Sequence, residues 1–547
     1  MLLVAMGACD PVVPEVADTI YTRAQVWTGV PGAPPAEALA VKGDRLLAVG
    51  TAAEVEAFRG PRTRVVDLGG RFVMPGFIDN HVHFLGGGFQ LAGVDLRTAA
   101  SPEAFRRRLA DFARTVPPGR WITGGDWDHE AWGGELPRRE WIDAVTPDNP
   151  VFVSRLDGHM ALANTPALER AGITRDTPDP AGGTIVRDPA TGEPTGILKD
   201  AAMDLVFAVI PPPSEEELDE ALERAMAHAV ALGVTQVHDM GTYGGWTDLA
   251  TYRRAHARGA LKLRLYAFVP LADAARLAAY VDAHGRGDDW LRWGGLKGFV
   301  DGSLGSTTAW FYAPYDDAPE TTGLLVTDST ALRARILQAD AAGLHVAVHA
   351  IGDRANDWLL DVYAGAARTN GPRDRRFRIE HAQHLTRDAL PRFARQGVIP
   401  SMQPYHAIDD GRWAEKRIGP ERIRTTYAFR SLLDAGAPLT FGSDWTVAPL
   451  NPLEGVYAAV TRRTLDGAHP EGWVPEEKVT VEEALQAYTA ANAYAGFQED
   501  RLGRLAPGYL ADFIVLSENL FTLEPEAIRA VRVLRTVVGG EEQFVAE

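Results

Sequence analysis

A chain of 547 residues is too long for one ordinary hydrophobic core and has room for a barrel-sized domain and a smaller one. With 46% hydrophobic and 23% charged residues, its composition is globular rather than fibrous or disordered. The net charge of −18, with no basic block, argues against a nucleic-acid or anionic-membrane partner, and the single cysteine, Cys9, excludes an internal disulfide.

At the N-terminus, MLLVAMGACDP sets Cys9 behind a short apolar run, much like the lipobox of bacterial lipoproteins. The first basic residue comes only at Arg23, which is not signal-like. Residues 1–17 therefore read as a lipoprotein signal or a linker. The expected location is the cell envelope if Cys9 is lipidated and the cytoplasm if it is incidental. No later stretch reaches the roughly 18 unbroken apolar residues of a spanning helix, so no transmembrane span is expected.

Residues 18–70 read as short strands: ALAVK and RLLAVG flank the hairpin signal Gly43-Asp44, and TRVVDLGG ends on a glycine stop. The far end mirrors this with ADFIVL and VRVLRTVVGGEEQFV, so residues 18–70 and 500–547 are expected to form one small β-sandwich domain. Between them, residues 71–499 alternate strands with helices. The run before His81 is the first strand. TQVHDM (235–240), LKLRLYAFV (261–269), LKGFVDG (296–302), LHVAVHAIG (344–352), RFRIEHAQ (376–383), VIPSMQP (398–404) and PLTFGSDW (438–445) follow. Eight is the number that closes a parallel barrel, so the expected fold class is α/β, a (β/α)8 TIM-like barrel. Ser214 and Glu217 form a capping box before a helix whose apolar face is Leu218, Leu222, Ala225, Met226 and Ala229, stopped by Gly233. Residues 85–213, rich in Trp, Pro and Gly, break the alternation and read as a long insertion over the mouth of the barrel.

The chemistry gathers at strand ends. In RFVMPGFIDNHVHFLGGG, His81 and His83 stand two apart, so both face the barrel interior at the end where barrel active sites are built. Lys297, His349, His381 and Asp444 stand at or near other strand ends. Imidazole and carboxylate donors together suit Zn²⁺ and related first-row divalent ions. Plainer readings exist for each: core histidines, an ion pair of Lys297 with Asp301, and Asp444 as a helix N-cap.

These motifs, with DGHMALANTPAL, PTGILKD, VDGSLGS, HAIGDRAND and GRLAPGYLADFIVL, resemble the amidohydrolase superfamily. The likeness is to the long-chain branch, amidohydrolase family 3, that includes N-substituted formamide deformylases, and it covers nearly the whole chain. The resemblance implies that His81, His83, Lys297, His349, His381 and Asp444 hold one or two divalent metal ions, zinc first and Fe, Mn, Co or Ni as alternatives. It further implies that Lys297 carries a CO₂-derived carbamate and that the terminal β domain is a family feature.

The implied activity is metal-dependent hydrolysis of a non-peptide carbon–nitrogen bond in a small-molecule substrate: an amide, a formamide or a cyclic amide. A metal-activated hydroxide attacks, and Asp444 serves as general base and then acid. Rival readings are the same site acting on an ester or lactone, or as a hydratase or isomerase, and a catalytically silent surface-anchored binding protein. Asp157 and His159 in the insertion are candidate substrate contacts. Trp310, Tyr405 and Trp127 are candidate apolar walls, His238 reads as a core residue, and His406 follows strand seven without a ligand-like placement. Homo-oligomerisation is compatible with the sequence.

Overall fold

A computed structural model describes residues 15–547, except residues 157, 159, 181, 182 and 243 and the side chains of Glu130 and Asp200. Cys9, Asp157 and His159 thus lie outside the described residues. Among the described residues no helix is long and apolar enough to cross a membrane.

Eight strands pair in parallel with their neighbours in sequence: β1 (Phe77–Val82), β2 (Val234–Asp239), β3 (Arg264–Pro270), β4 (Leu291–Phe299), β5 (His345–Ala350), β6 (Arg378–His381), β7 (Ile399–Met402) and β8 (Thr440–Phe441). The ring closes just beyond β8. Val82 and Trp445 form a parallel bridge, the Asp444 N–H donates to the His81 carbonyl at 2.8 Å, and the His83 N–H donates to the Trp445 carbonyl at 2.5 Å. This is the (β/α)8 barrel, with its closing seam at the residues of greatest chemical interest.

The outer helices follow from local signals. In helix Glu215–Ala231, Ser214 Oγ accepts from Glu217 N at 3.2 Å and Glu217 accepts from Ser214 N at 2.9 Å. These two bonds satisfy end donors that the helix itself cannot. Leu218, Leu222, Ala225, Met226 and Ala229 form its buried stripe, and Gly233, at φ 81°, terminates it.

Three strands differ from their sequence reading. The apolar run before His81 is two strands: Phe72–Pro75 pairs with Phe513–Leu516 in a separate sheet, and only Phe77–Val82 enters the barrel. The chain pivots at Gly76, where a Cβ would lie 2.2 Å from the Thr235 side chain. Strand β4 begins at Leu291 rather than residue 296 and ends at Phe299; Gly294 and Gly295 hide its first half from an apolar pattern. Strand β8 stops at Phe441, and Gly442 after it passes so close to Asp79 and Asn80 that a Cβ there would meet Asn80 Oδ1 at 2.5 Å.

Between β1 and β2 a six-stranded sheet is built from Val94–Asp95, Gly124–Trp127, Phe152–Arg155, Met160–Ala163, Gly183–Arg187 and Pro194–Asp200. Its core includes Phe105, Leu109, Trp127 and Val153. Trp127 is fully buried there and donates its indole N–H to the Val153 carbonyl at 2.9 Å, so it fills this core instead of walling a pocket. Both chain ends contribute to two further sheets. One holds Thr19–Thr22, Ala38–Lys42, Arg45–Gly50 and Arg64–Asp67; the other holds Gln25–Val26, Phe72–Pro75, Phe513–Leu516, Val533–Val538 and Glu541–Val545. Tyr21, Leu39, Val41, Phe513 and Val537 share one core between them. A buried ion pair at 2.7 Å, Arg264 with Asp512, ties the first residue of β3 to this region.

Two buried imidazoles away from the strand-end cluster set an acid limit on stability. Burial pushes His345, at the start of β5, and His384, beyond β6, down to about 3. In the unfolded chain they titrate near 6.5, so below that pH the unfolded state binds more protons and stability falls as pH drops toward 3. Each histidine contributes up to ~1.4 kcal/mol per pH unit in that window. The urea midpoint should therefore be lower at about pH 5.5 than at about pH 7.5. His384→Gln should shrink the difference; equal midpoints at the two pH values would show that these imidazoles already carry a proton in the native state.

Candidate active site

His81 and His83 alternate along the end of β1, and their rings lie 5.8 Å apart. Between them stands Asp444, whose Oδ1 is 3.5 Å from His81 Nε2 and 3.5 Å from His83 Nε2. His83 Nδ1–H donates to the Gly241 carbonyl at 2.8 Å, and His81 Nδ1 meets the Glu380 carboxylate at 2.5 Å. Each ring thereby presents Nε2 to Asp444. Asp444 takes a left-handed φ of 59°, the conformation that turns its carboxylate back over the closing seam. It is not a helix N-cap: the next helix, Pro452–Thr461, is capped by Asn451.

The other strand ends complete the cluster. Lys297 on β4 is buried, with Nζ 3.2 Å from His81 Nε2 and 5.1 Å from the Phe299 ring centre. It does not pair with Asp301, whose carboxylate instead accepts from the backbone N–H groups of Trp310, Ile351 and Gly352 at 2.7, 3.0 and 2.8 Å. His349 on β5 donates Nε2–H to the Gly302 carbonyl at 3.0 Å, leaving Nδ1 as its lone-pair nitrogen. His381 ends β6 with its ring 5.0 Å from that of His81 and 4.5 Å from that of His349, and Nδ1 2.8 Å from Gln403 Oε1.

Electrostatics sort these groups. Burial, with Lys297 nearby, pushes His81 down to about 4 and His349 down to about 3. Burial and then His349 hold His381 well below its usual value. Burial lowers the Lys297 ammonium to about 8, against the pull of Glu380 and Asp444. Burial alone would raise Asp444, but His81, the hydrogen bond from His83, and His381 hold it well below the carboxylate range. For His83 burial works downward, yet the hydrogen bond and charge of Asp444 outweigh it and the pKa rises. Imidazole nitrogens around one carboxylate are a donor set that suits a divalent cation, and the donor atoms of His81, His83 and Asp444 all lie within 4.8 Å of one another.

A family profile described as "Amidohydrolase family" matches residues 64–544. The chain belongs to the amidohydrolase family. It is 43% identical to Protein LONG AFTER FAR-RED 3 of Arabidopsis thaliana, over 97% of this chain and 92% of that one. It is 31% identical to the N-substituted formamide deformylase of Arthrobacter pascens, over 96% of this chain and 98% of that one. Among solved structures, an uncharacterized metal-dependent hydrolase from Pyrococcus horikoshii matches with a TM-score of 0.78 at 30% identity, covering 93% of this chain and 99% of that one.

Beneath the cluster this amidohydrolase carries a polar layer that sequence reading missed. Glu380 is fully buried and binds His81 Nδ1, Arg378 Nε at 2.7 Å and Ser401 Oγ at 2.7 Å. Arg378 also reaches His238 Nδ1 at 3.1 Å, which accounts for His238 as a supporting residue. Glu380 and His381 are consecutive, yet both face His81. A left-handed φ of 72° at His381 breaks the strand alternation and permits this. Carboxylates that orient a ligating imidazole typically matter 10–100-fold for metal affinity, so Glu380→Gln should weaken divalent-ion binding by ~10–100-fold in a chelator competition. Unchanged affinity would show that Glu380 does not orient His81. Gln is the informative substitution because it keeps the size of the side chain and an oxygen acceptor for Arg378, whereas Ala would also leave a cavity.

Two further predicted contacts, Trp310 and Tyr405, lie on segments that border the cluster: the Trp310 N–H donates to Asp301, and Tyr405 precedes His406. The Trp310 indole carries the Arg354 guanidinium 4.4 Å from its ring centre. Tyr405 is half-buried on helix Pro404–Asp410, and burial followed by the nearby Asp409 raises its hydroxyl. His406, one residue on, was set aside in the sequence reading but joins the cluster, with Nε2 3.9 Å from Asp444 Oδ2. The available signal was Pro404, which starts a helix directly at the end of β7 and so holds the following residues at the barrel mouth.

Proposed function

We propose that this amidohydrolase cleaves a non-peptide carbon–nitrogen bond, an amide, formamide or cyclic amide, in a small molecule, using one or two divalent ions, zinc foremost. The observation that carries the reading is Asp444, a buried carboxylate held well below the usual carboxylate range, 3.5 Å from the Nε2 atoms of His81 and His83 at the mouth of the barrel. A relative active on formamides supports the bond type. His81, His83 and Asp444 would hold an ion, with His349 and His381 facing it from across the barrel. A divalent ion supplies Lewis acidity there, lowering the pKa of water toward ~7 and polarising a carbonyl.

The chain's own residues handle the protons. Asp444 takes one from the attacking water and returns it to the departing nitrogen, which cannot leave as an anion. Glu380 holds the His81 tautomer. Lys297, lowered to about 8, has a neutral fraction at physiological pH that can add CO₂. The amine lone pair forms the N–C bond as one C=O π bond of CO₂ opens onto oxygen, and an N–H proton passes to water, giving a carbamate beside His81.

A panel of formamides, cyclic amides, esters and lactones, assayed on metal-stripped and metal-reloaded protein, tests this. Turnover of a carbon–nitrogen substrate that disappears on stripping and returns on reloading is expected. Turnover confined to esters and lactones would move the assignment to that bond, and full turnover in stripped protein would end the metal mechanism.

A further inference from the structure

His406 is not among the residues that the family resemblance assigns, and the structure nonetheless aims it at the cluster. Its Nε2 is buried and has no hydrogen-bond partner among the described residues. A buried imidazole nitrogen left unpaired costs free energy unless something occupies the space before it. The nearest anionic atom is Asp444 Oδ2, 3.9 Å away. His381 stands alongside, its ring within 15° of parallel to that of His406 and 6.3 Å from it, centre to centre. With His381 Nδ1 engaged by Gln403 Oε1, the His381 lone pair is carried on Nε2. The donor atoms of His381, His406 and Asp444 all lie within 4.8 Å of one another.

Asp444 divides its two oxygens. Oδ1 faces His81 and His83, and Oδ2 faces His406. The next turn of the same helix is committed elsewhere, since Asp410 accepts from Gln383 Nε2 at 2.8 Å and from Tyr427 Oη at 2.6 Å. These bonds anchor the helix and hold His406 over the cluster without competing for its ring.

We propose that His406 is a ligand of a second divalent-cation position, formed with His381 and Asp444, and that the Asp444 carboxylate bridges it to the position at His81 and His83. This rests on the metal-dependent reading above and deepens it, because the second ion would be held by a residue of the β7 loop as well as by strand ends. Stripped full-length protein is titrated with Co²⁺, following visible absorption, and bound metal is counted by plasma mass spectrometry after reloading with Zn²⁺. Wild-type protein should take up two ions in two steps. His406→Ala should keep the first step and weaken the second at least tenfold, and His406→Asp, which puts a carboxylate donor in place of the imidazole, should recover much of it. Circular dichroism reports folding, and if the Ala variant fails to fold, His406→Asn carries the same comparison. Two unchanged steps in His406→Ala, or a single step in wild-type protein, would overturn the assignment and leave the His81–His83–Asp444 position standing. No uptake by wild-type protein would overturn both readings.

Discussion

Asp444→Asn is expected to lower turnover by ~10²–10⁴-fold while the protein stays folded and still binds metal, since that is the usual worth of a positioned general acid–base. Asn preserves the size of the side chain and one oxygen donor but cannot accept and return a proton. It also removes the hydrogen bond and charge that raise His83, so the His83 pKa should fall in the variant. The measurement is kcat at saturating metal, with bound metal counted in the same sample. Turnover within a fewfold of wild type would show that the carboxylate is only a structural bridge across the β1–β8 seam. The left-handed backbone at Asp444 does not confound the comparison, because Asn tolerates that conformation as well as Asp does.

Lys297→Ala should be close to inactive, for a different reason. Among the described residues, Lys297 is the amine placed beside His81 Nε2, where CO₂ uptake would make an anionic ligand. Its loss should cost at least the ~10–100-fold in metal affinity that removal of an outer partner costs. A short carboxylic acid, small enough for the space the side chain vacates, should restore part of the activity. Labelled bicarbonate should give a carbamate carbon resonance in wild-type protein that Lys297→Ala lacks. A wild-type spectrum without that resonance, in fully metal-loaded and active protein, would remove the carbamate from the mechanism. Because burial lowers Lys297 only to about 8, carbamylation should increase as pH rises toward that value and the amine deprotonates.

Much of the architecture was legible because it depends on short-range periodicity. Two histidines at i and i+2 must share a face of any strand, and His81 and His83 do. The Ser214–Glu217 box, the Gly43 turn and the alternation of strand and helix are likewise local facts. Features that depend on backbone exceptions were not legible. Strand alternation sends Glu380 and His381 to opposite faces, and only the positive φ at His381 brings both to His81. The Gly76 pivot divides one apolar run between two sheets, and nothing in the run's hydrophobicity marks the division.

By itself, then, the sequence determined the barrel class, the family resemblance and which strand ends carry imidazole, amine and carboxylate, since each follows from residue type and spacing along a few residues. Only the tertiary structure decided which of those groups meet. It set the Asp444 carboxylate between His81 and His83, kept Lys297 away from Asp301, placed Glu380 beneath His81, and brought His406 in from the helix after β7. The physical reason is that ring closure joins β1 to the segment after β8 across more than three hundred residues of chain, and left-handed turns at His381 and Asp444 aim side chains against the strand period. Neither a long-range register nor a single unusual φ leaves a periodic trace in the order of amino acids.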